Sequence, residues 1–338
     1  MELTMVSFSF LTDFETPRLA SLTPNCHAAI FQLMKLLPAR FMLDRAEERG
    51  ALRPGGHIVE TSSGTFAMAL AMLSAVRGYE LTIVSATSLM DAPFKTRLEQ
   101  LGATVILVED ENRTGNQEGR LIELRRVMKA RPESFWPAQY DNPDNPASYA
   151  RLAEIIVEKL GRIDCIVGCV GSGGSLTGTT RYLRYLFPNM RAVAVDTNNS
   201  VLFGHPVGPR LLRGLGNSII PKNLDHSLVD DVHWVGAFQA FAATRDLYRR
   251  HAIFAGPTSG AAALVGGWYA RTYPDETVVV IMPDTGYRYQ STVYSDDWLN
   301  SKAEAPVKTA TMPAELLKII PRDDSDWTYM RWSRQLYT

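Results

Sequence analysis

The sequence predicts an α/β fold of two lobes, built from mostly parallel twisted sheets with helices on both faces. Three observations carry this expectation. Short apolar, β-branched runs alternate with longer stretches that read as helices. The runs are continuously apolar rather than alternating with polar residues, as strands are when both faces are covered. A chain of 338 residues is also long enough for about two domains, or for one large unit with lobes.

The first strand is His57–Glu60, and a helix follows over Phe66–Val76. Leu81–Val84 (LTIV) and Val105–Val108 (VILV) are the next strands, with a helix over Ala92–Leu101 between them and another over Glu118–Ala130 after them. The segment Trp136–Pro146 (WPAQYDNPDNP) then holds three prolines and the turn formers Asp141, Asn142, Asp144 and Asn145. That is too many breakers for a helix, so it reads as an irregular connector. Beyond it the alternation resumes with the helix Ser148–Leu160, the strand Cys165–Val170, the helix Ser175–Leu186 and the strand Ala192–Val195. A helix over Ala261–Ala270 and the strand Val278–Met282 complete the pattern. The expected organisation is a smaller lobe over residues 41–140, a larger one formed by 1–40 and 141–300, and a tail over 301–338. Pro306, Pro313 and Pro321 interrupt the tail before Trp327, Tyr329, Trp332 and Tyr337. Such aromatics need a surface to lie on, so the tail is expected to pack on the body or on a second subunit.

Composition removes several function classes. The 35 basic residues against 36 acidic ones leave a formal charge of −1 and no electrostatic case for a nucleic-acid or membrane-surface protein. No apolar run approaches the length of a membrane span. Met1–Asp13 is apolar in places but acidic, without a basic leader or a small-residue cleavage site, so no secretory signal is expected. Cys26, Cys165 and Cys169 are too few and odd in number for a disulfide framework, which points to a reducing cytoplasm. Cys165 and Cys169 lie in an apolar segment and read as buried thiols rather than a metal pair. His27, His57, His205, His226, His233 and His251 are scattered without metal-ligand spacing, so no metal is expected. There is no Gly-x-Ser-x-Gly elbow for a hydrolase.

Two local features carry chemistry. Gly171-Ser172-Gly173-Gly174-Ser175 follows a strand and opens a helix. Glycines let backbone N–H groups approach an anion closely, and the helix N-terminus adds partial positive charge, so a phosphate is the natural guest. The spacing does not fit a dinucleotide fingerprint and no lysine follows as in a P-loop, which favours a single monophosphate. The competing reading is a plain glycine-rich turn. The second feature is Lys35, one of only eight lysines against 27 arginines, set in the apolar run Ile30–Pro38. Burial lowers a lysine's pKa, and the neutral amine is what Schiff-base chemistry requires. The alternative is a lysine whose ammonium snorkels off an amphipathic helix. A phosphate loop and a desolvated lysine together are the minimum equipment for pyridoxal phosphate.

From Lys35 onward the residues resemble the cysteine synthase and cystathionine β-synthase family of pyridoxal-phosphate enzymes, with the tryptophan-synthase-β fold (fold type II). The resemblance runs through Met34-Lys35 with Pro38–Phe41, Glu48–Leu52, Val59–Gly64, Ala138–Tyr140 with Asn142-Pro143 and Asn145-Pro146, Gly171–Gly178, Leu212–Asp225 and Ala255–Ala262. It ends with Pro283–Tyr289 and Val293–Trp298, a stretch most similar to cystathionine β-synthases and to siderophore-pathway enzymes that make a 2,3-diaminopropionate precursor from O-phosphoserine.

The resemblance implies a homodimer acting on small amino acids with pyridoxal 5'-phosphate between its lobes, the smaller lobe being mobile. The expected reaction is β-replacement on an O-activated serine (O-acetylserine or O-phosphoserine) through an aminoacrylate, with a sulfur or amine nucleophile. Lys35 takes the position of the lysine that tethers the cofactor and moves the α-proton. Gly171, Ser172, Gly173, Gly174 and Ser175 take the positions that hold the phosphate. Thr258 meets the pyridine nitrogen, and Thr65 stands where relatives carry an asparagine that contacts the ring hydroxyl. Thr61, Ser62, Ser63 and Gly64 form the substrate-carboxylate loop, with Gln139 assisting and Gly214 in the segment lining the other side. From the residues alone, Gln139 also reads as a satisfied loop amide and Thr258 as a helix N-cap. Relatives carry Asn-Pro-Gly-Gly-Ser before the lysine and Asp-Arg after it, whereas Phe31–Met34 and Leu36-Leu37 stand here. That departure keeps two alternatives open: β-elimination or dehydration, and a non-catalytic ligand-binding relative. Arg210 and Arg213 are the cations nearest the lining segment for an anionic leaving group, or else surface ion-pair partners.

Overall fold

The computed structural model describes residues 10–111, 115–212, 214–302, 309–320 and 326–336. Arg213, Pro306, Pro321, Tyr337 and most of Met1–Asp13 lie outside them. The described chain opens with a short helix α1 (Thr12–Glu15) and the hairpin β1 (Arg18–Thr23) and β2 (Cys26–Ile30), then α2 (Leu36–Glu48). Next come β3 (His57–Thr61), α3 (Thr65–Arg77), β4 (Glu80–Ala86), α4 (Ala92–Gln100), β5 (Ala103–Val108) and α5 (Gln117–Ala130). The chain continues through α6 (Asp144–Ser148), α7 (Ala150–Leu160), β6 (Cys165–Cys169), α8 (Gly174–Leu186), β7 (Arg191–Asp196) and β8 (Asp231–Val235). It closes with α9 (Ala237–His251), α10 (Pro257–Thr272), β9 (Val278–Met282), α11 (Asp296–Asn300), β10 (Ala314–Glu315) and β11 (Trp327–Arg331).

Two sheets result, each mostly or wholly parallel. The smaller has three parallel strands in the order β3-β4-β5, with His57 opposite Glu80 and Leu81 opposite Ala103. The larger has eight strands in the order β1-β2-β9-β6-β7-β8-β11-β10. Its middle, β2-β9-β6-β7-β8, is parallel, while β1 runs antiparallel to β2 and β11 antiparallel to β8. Every residue of β3 and of β9 is buried, as continuous apolar strands between two helical layers should be. Around the small sheet, Ile58, Phe66, Leu70, Leu73, Ile83 and Leu98 share one core, into which α2 inserts Leu36, Met42 and Leu43. Helix ends follow local chemistry: the Asp91 carboxylate accepts from the Phe94 N–H at 2.8 Å to start α4, and Gly78 in the left-handed region ends α3.

The connector and the elements around it depart from the sequence reading. Residues 144–148 form the helical turn α6, because Pro143 precedes it and Pro146 falls in its first turn, where a missing N–H costs no hydrogen bond. The helix expected over Ser148–Leu160 is therefore two helices that meet at Tyr149. The strand expected to reach Val170 ends at Cys169, and α10 begins at Pro257 rather than Ala261.

The chain leading to Lys35 lies along the continuation of β9. β2 pairs with β9 from Cys26↔Val278 to Ile30↔Met282. The Phe31 N–H then donates to the Met282 carbonyl and the Met34 N–H to the Pro283 carbonyl, both at 2.9 Å. Lys35 follows at once, at the start of α2. Among the described residues, no helix is long and apolar enough to cross a membrane.

Candidate active site

Lys35 donates from Nζ to Ser172 Oγ at 3.1 Å, which joins the start of α2 to the glycine loop before α8. Its ammonium lies 6.0 Å from the centre of the Phe66 ring at the start of α3. The side chain keeps part of its surface open, yet desolvation draws its pKa down from 10.5 to about 8, against the opposing pull of the Glu60 charge.

Around Ser172 the backbone is shaped by close approach. Gly173 has φ +81°, and a Cβ there would stand 2.6 Å from the Leu224 backbone. A Cβ on Gly174 would meet Asn145 Oδ1 at 2.2 Å, and one on Gly178 the Pro146 carbonyl at 2.0 Å. The glycines let α6 and the Leu224 segment press against the start of α8. Among the described residues, the N–H groups of Gly171 through Leu176 find no protein acceptor, and the first bond of the helix runs from the Thr177 N–H to the Gly173 carbonyl. Six consecutive unsatisfied donors at a helix N-terminus fit a phosphate. Ser175 belongs to this array as the second residue of α8.

A second array lies at the start of α3. The Thr61 N–H is taken by Glu60 at 2.7 Å and the Ser62 N–H by the Val84 carbonyl at 3.2 Å. Ser62 Oγ accepts from the Ala67 N–H at 3.1 Å, and Ser63 Oγ shares a 2.7 Å bond with Ser85 Oγ. The N–H groups of Ser63, Gly64, Thr65 and Phe66 remain without a protein acceptor among the described residues, the arrangement a carboxylate needs. Within the expected carboxylate loop, the N–H groups of Thr61 and Ser62 are thus occupied, while Ser63 and Gly64 offer open amides.

Gln139 connects the two arrays. Its N–H donates to Glu60 Oε2 at 3.2 Å, and its carbonyl accepts from Asn145 Nδ2 at 2.6 Å and Asn223 Nδ2 at 3.0 Å. Its side-chain amide reaches the Thr61 carbonyl at 3.5 Å, and Asn145 Nδ2 also approaches Ser172 Oγ at 3.4 Å.

Thr258, 4% exposed, lies in the first turn of α10, whose N-cap position is Gly256. The N-cap reading of Thr258 is therefore corrected: the helix starts earlier because Pro257 is preorganised for its first position. The Thr258 carbonyl accepts from Cys169 Sγ at 3.0 Å. Its methyl would lie 3.6 Å from a Cβ on Gly214, whose φ is +86°, and Gly214 in turn adjoins Gly171. Lys35, the glycine loop, the carboxylate loop, Gln139, Gly214 and Thr258 thus gather at the ends of β3 and β6 and the starts of α2, α3, α8 and α10.

Several residues of the site were not singled out from sequence. Glu60 is 1% exposed, and burial pushes its pKa up to about 7 against the hydrogen bonds from Trp136, Thr61 and Gln139. Arg120, in α5, is 7% exposed and bonds Gln117. It has no carboxylate within ion-pair distance among the described residues, and its Nε lacks a partner. It stands within electrostatic reach of Tyr140, Asp110 and Glu60. Tyr140 is also within reach of Arg210 and of the Asn217 amide, and Asn217 Nδ2 donates to the Gly171 carbonyl at 3.0 Å. A charge inside an otherwise apolar strand marks Glu60 in the sequence; nothing local marks Arg120. Arg210, offered above as a surface ion-pair partner, is instead half-buried and bonds the Asn199 carbonyl at 2.8 Å and Ser218 Oγ at 3.1 Å. Among the described residues no cluster of His, Cys, Asp and Glu gathers as a metal site.

The chain is similar to known proteins over most of its length. The family described as pyridoxal-phosphate dependent enzyme matches residues 34–284. The chain is 35% identical over 295 residues to an N-(2-amino-2-carboxyethyl)-L-glutamate synthase of Ralstonia nicotianae, covering 83% of this chain and 87% of that one. It is 34% identical over 269 residues to a cystathionine beta-synthase of Apis mellifera, covering 77% of this chain and 53% of the other. Among solved structures, O-acetyl serine sulfhydrylase isoform 3 from Entamoeba histolytica superposes with a TM-score of 0.78 at 26% identity, over 87% of this chain and 93% of that one.

Proposed function

The chain belongs to the pyridoxal-phosphate dependent enzymes, and from that premise we propose that it catalyses β-replacement on an O-activated L-serine, joining the three-carbon unit to an amine or sulfur nucleophile. The observation that carries this reading is the pair of open amide arrays, Gly171–Leu176 and Ser63–Phe66, linked through Gln139, Asn145 and Ser172 to the Lys35 amine. The first array suits the cofactor's phosphate and the second the α-carboxylate of an amino acid. When bound, pyridoxal phosphate supplies an aldehyde for the lysine and a ring that withdraws electrons from the α-carbon.

The chain's own residues supply the rest. Lys35, largely desolvated, offers a neutral amine near pH 8 and then serves as the base for the α-proton. Ser172 orients Nζ, and Asn145 fixes Ser172. Thr258 offers a neutral hydroxyl to the ring nitrogen. The Ser63–Phe66 amides grip the carboxylate and so fix the orientation of the α-carbon.

For the donor, the reading is O-phosphoserine. Arg120 supports it: among the described residues this buried guanidinium has no carboxylate at ion-pair distance, which suits a departing phosphate more than the less charged acetate. For the nucleophile, an amine is the first choice, because the Ralstonia relative's name denotes a glutamate whose nitrogen carries a 2-amino-2-carboxyethyl group. The reading includes a homodimer in a cytoplasmic setting, in keeping with three free thiols.

The test combines cofactor fixation with a donor comparison. Borohydride should fix the cofactor covalently in the wild type and not in Lys35→Ala, and mass spectrometry should find a new amino acid from O-phosphoserine plus an amine. In Arg120→Met, kcat/KM for O-phosphoserine should fall about 30-fold, as expected for a charge-assisted hydrogen bond of about 2 kcal/mol. O-acetylserine should change by less than about threefold on the same reasoning. Pyruvate as the sole product would replace this reading with β-elimination.

A further inference from the structure

Glu60 is enclosed by three donors, one from the residue that follows it and two from the connector around Trp136–Gln139. Oε1 accepts from the Thr61 N–H at 2.7 Å and from the Trp136 indole N–H at 3.0 Å, and Oε2 accepts from the Gln139 N–H at 3.2 Å. Among the described residues no lysine or arginine lies within ion-pair distance of it. A carboxylate at 1% exposure is costly to bury unless its lone pairs are occupied, and here amide and indole groups occupy them. The groups it fixes are Thr61, two residues before the open Ser63–Phe66 amides, and Gln139, whose carbonyl receives Asn145 and Asn223. From Asn145 the line continues to Ser172 and to Lys35 Nζ.

We propose that Glu60 is a positioning residue for substrate binding: it ties the amides that receive the α-carboxylate to the Gln139 segment, and through Asn145 and Ser172 to Lys35, so that carboxylate, amine and phosphate sites keep one spacing. The idea rests on the reading of the Ser63–Phe66 array as the substrate-carboxylate site. A carboxylate is required because both oxygens face donors. In Glu60→Gln the amide NH2 must point at an N–H group, either toward Thr61 and Trp136 or toward Gln139, so one side of the tie opens while size and shape are kept.

The test uses the cofactor-loaded protein and follows absorbance during titration with L-serine and with 2-aminoethanol, which lacks the carboxylate. Glu60→Gln should retain cofactor and a cooperative melt, weaken L-serine binding tenfold or more, and leave 2-aminoethanol within twofold of wild type. Equal weakening of both ligands, or L-serine binding within twofold of wild type, would overturn the proposal. If Glu60→Gln does not fold, Trp136→Phe decides. It removes one donor and should weaken L-serine three- to fivefold with 2-aminoethanol unaffected, and the same two contrary outcomes would overturn the idea. A wild type that takes up cofactor but binds both ligands equally would remove the carboxylate-site reading itself, and this proposal with it.

Discussion

At Lys35 two forces oppose one another. Desolvation favours the neutral amine and the Glu60 charge favours the ammonium, with desolvation the larger, so the pKa falls from 10.5 to about 8. Only the neutral amine can attack the cofactor's aldehyde. Cofactor uptake by the apo-protein should therefore slow about tenfold per pH unit below the midpoint near 8 and level off above it. Stopped-flow absorbance between about pH 6 and 10 measures this, and a midpoint near that of an ordinary lysine would contradict it. Glu60→Gln should move the midpoint down. The same shift has a stability side: between about 8 and 10.5 the unfolded chain holds a proton that the folded one has released. The cost of burying this amine is therefore complete below about pH 8 and is relieved as pH rises toward 10.5. Lys35 and the Gly171–Ser175 run are legible from sequence because their signals are local, an amine in apolar surroundings and glycines at a strand-to-helix turn. Glu60 is marked only as a charge inside an apolar strand, and what it holds is not legible, since Trp136 and Gln139 lie 76 and 79 positions away; Arg288 carries no local mark, and Ser63 lies 225 positions from it.

Among the elements, α8 depends most on absent side chains. Gly178→Ala would drive a methyl into the Pro146 carbonyl, a backbone atom that can move only if α6 moves. Overpacking of this kind costs about 2 kcal/mol, which should appear as a lowered urea midpoint with an unchanged slope. Asn145 would shift with α6, so cofactor retention should weaken as well. The strands β3, β4, β5, β6, β7 and β9 could be read from sequence because each holds a short apolar, β-branched run, even β5, which is only partly covered at the edge of the small sheet. β1 escaped because RLASLT is an edge strand with little burial, and β2 because CHAAI has a single β-branched residue. β8 (DVHWV) opens with an acid and carries His233, whose ring accepts from the Trp327 indole of β11 at 3.1 Å. That pairing spans 94 positions and leaves no periodic trace at either end. α6 was obscured by its prolines, which mark a helix start as readily as a loop.

Across the whole molecule, Arg288 joins the segment after β9 to the small sheet and its helices. Its guanidinium donates to the Ser63 carbonyl at 2.9 Å and lies 4.0 Å from the centre of the Phe94 ring in α4. A cation–π contact contributes about 0.5–1 kcal/mol where solvent is near. Arg288→Ala should therefore leave the global melt nearly unchanged while speeding hydrogen exchange in Ser63–Phe66 and α4, and KM for the donor should rise more than kcat falls. Unchanged exchange in both segments would deny Arg288 this bridging role. The parallel pairing of β2 with β9 has a different kind of consequence, one of timing. Ala28 lies opposite Val280, so the strand that aims Lys35 finds its partner about 250 residues later. A ribosome must complete nearly the whole domain before the lysine has a fixed address. If the proposed site holds the cofactor, a nascent chain that already carries Lys35 and both amide arrays should load only after β9 has been made, and loading would then be a sign that synthesis has passed β9.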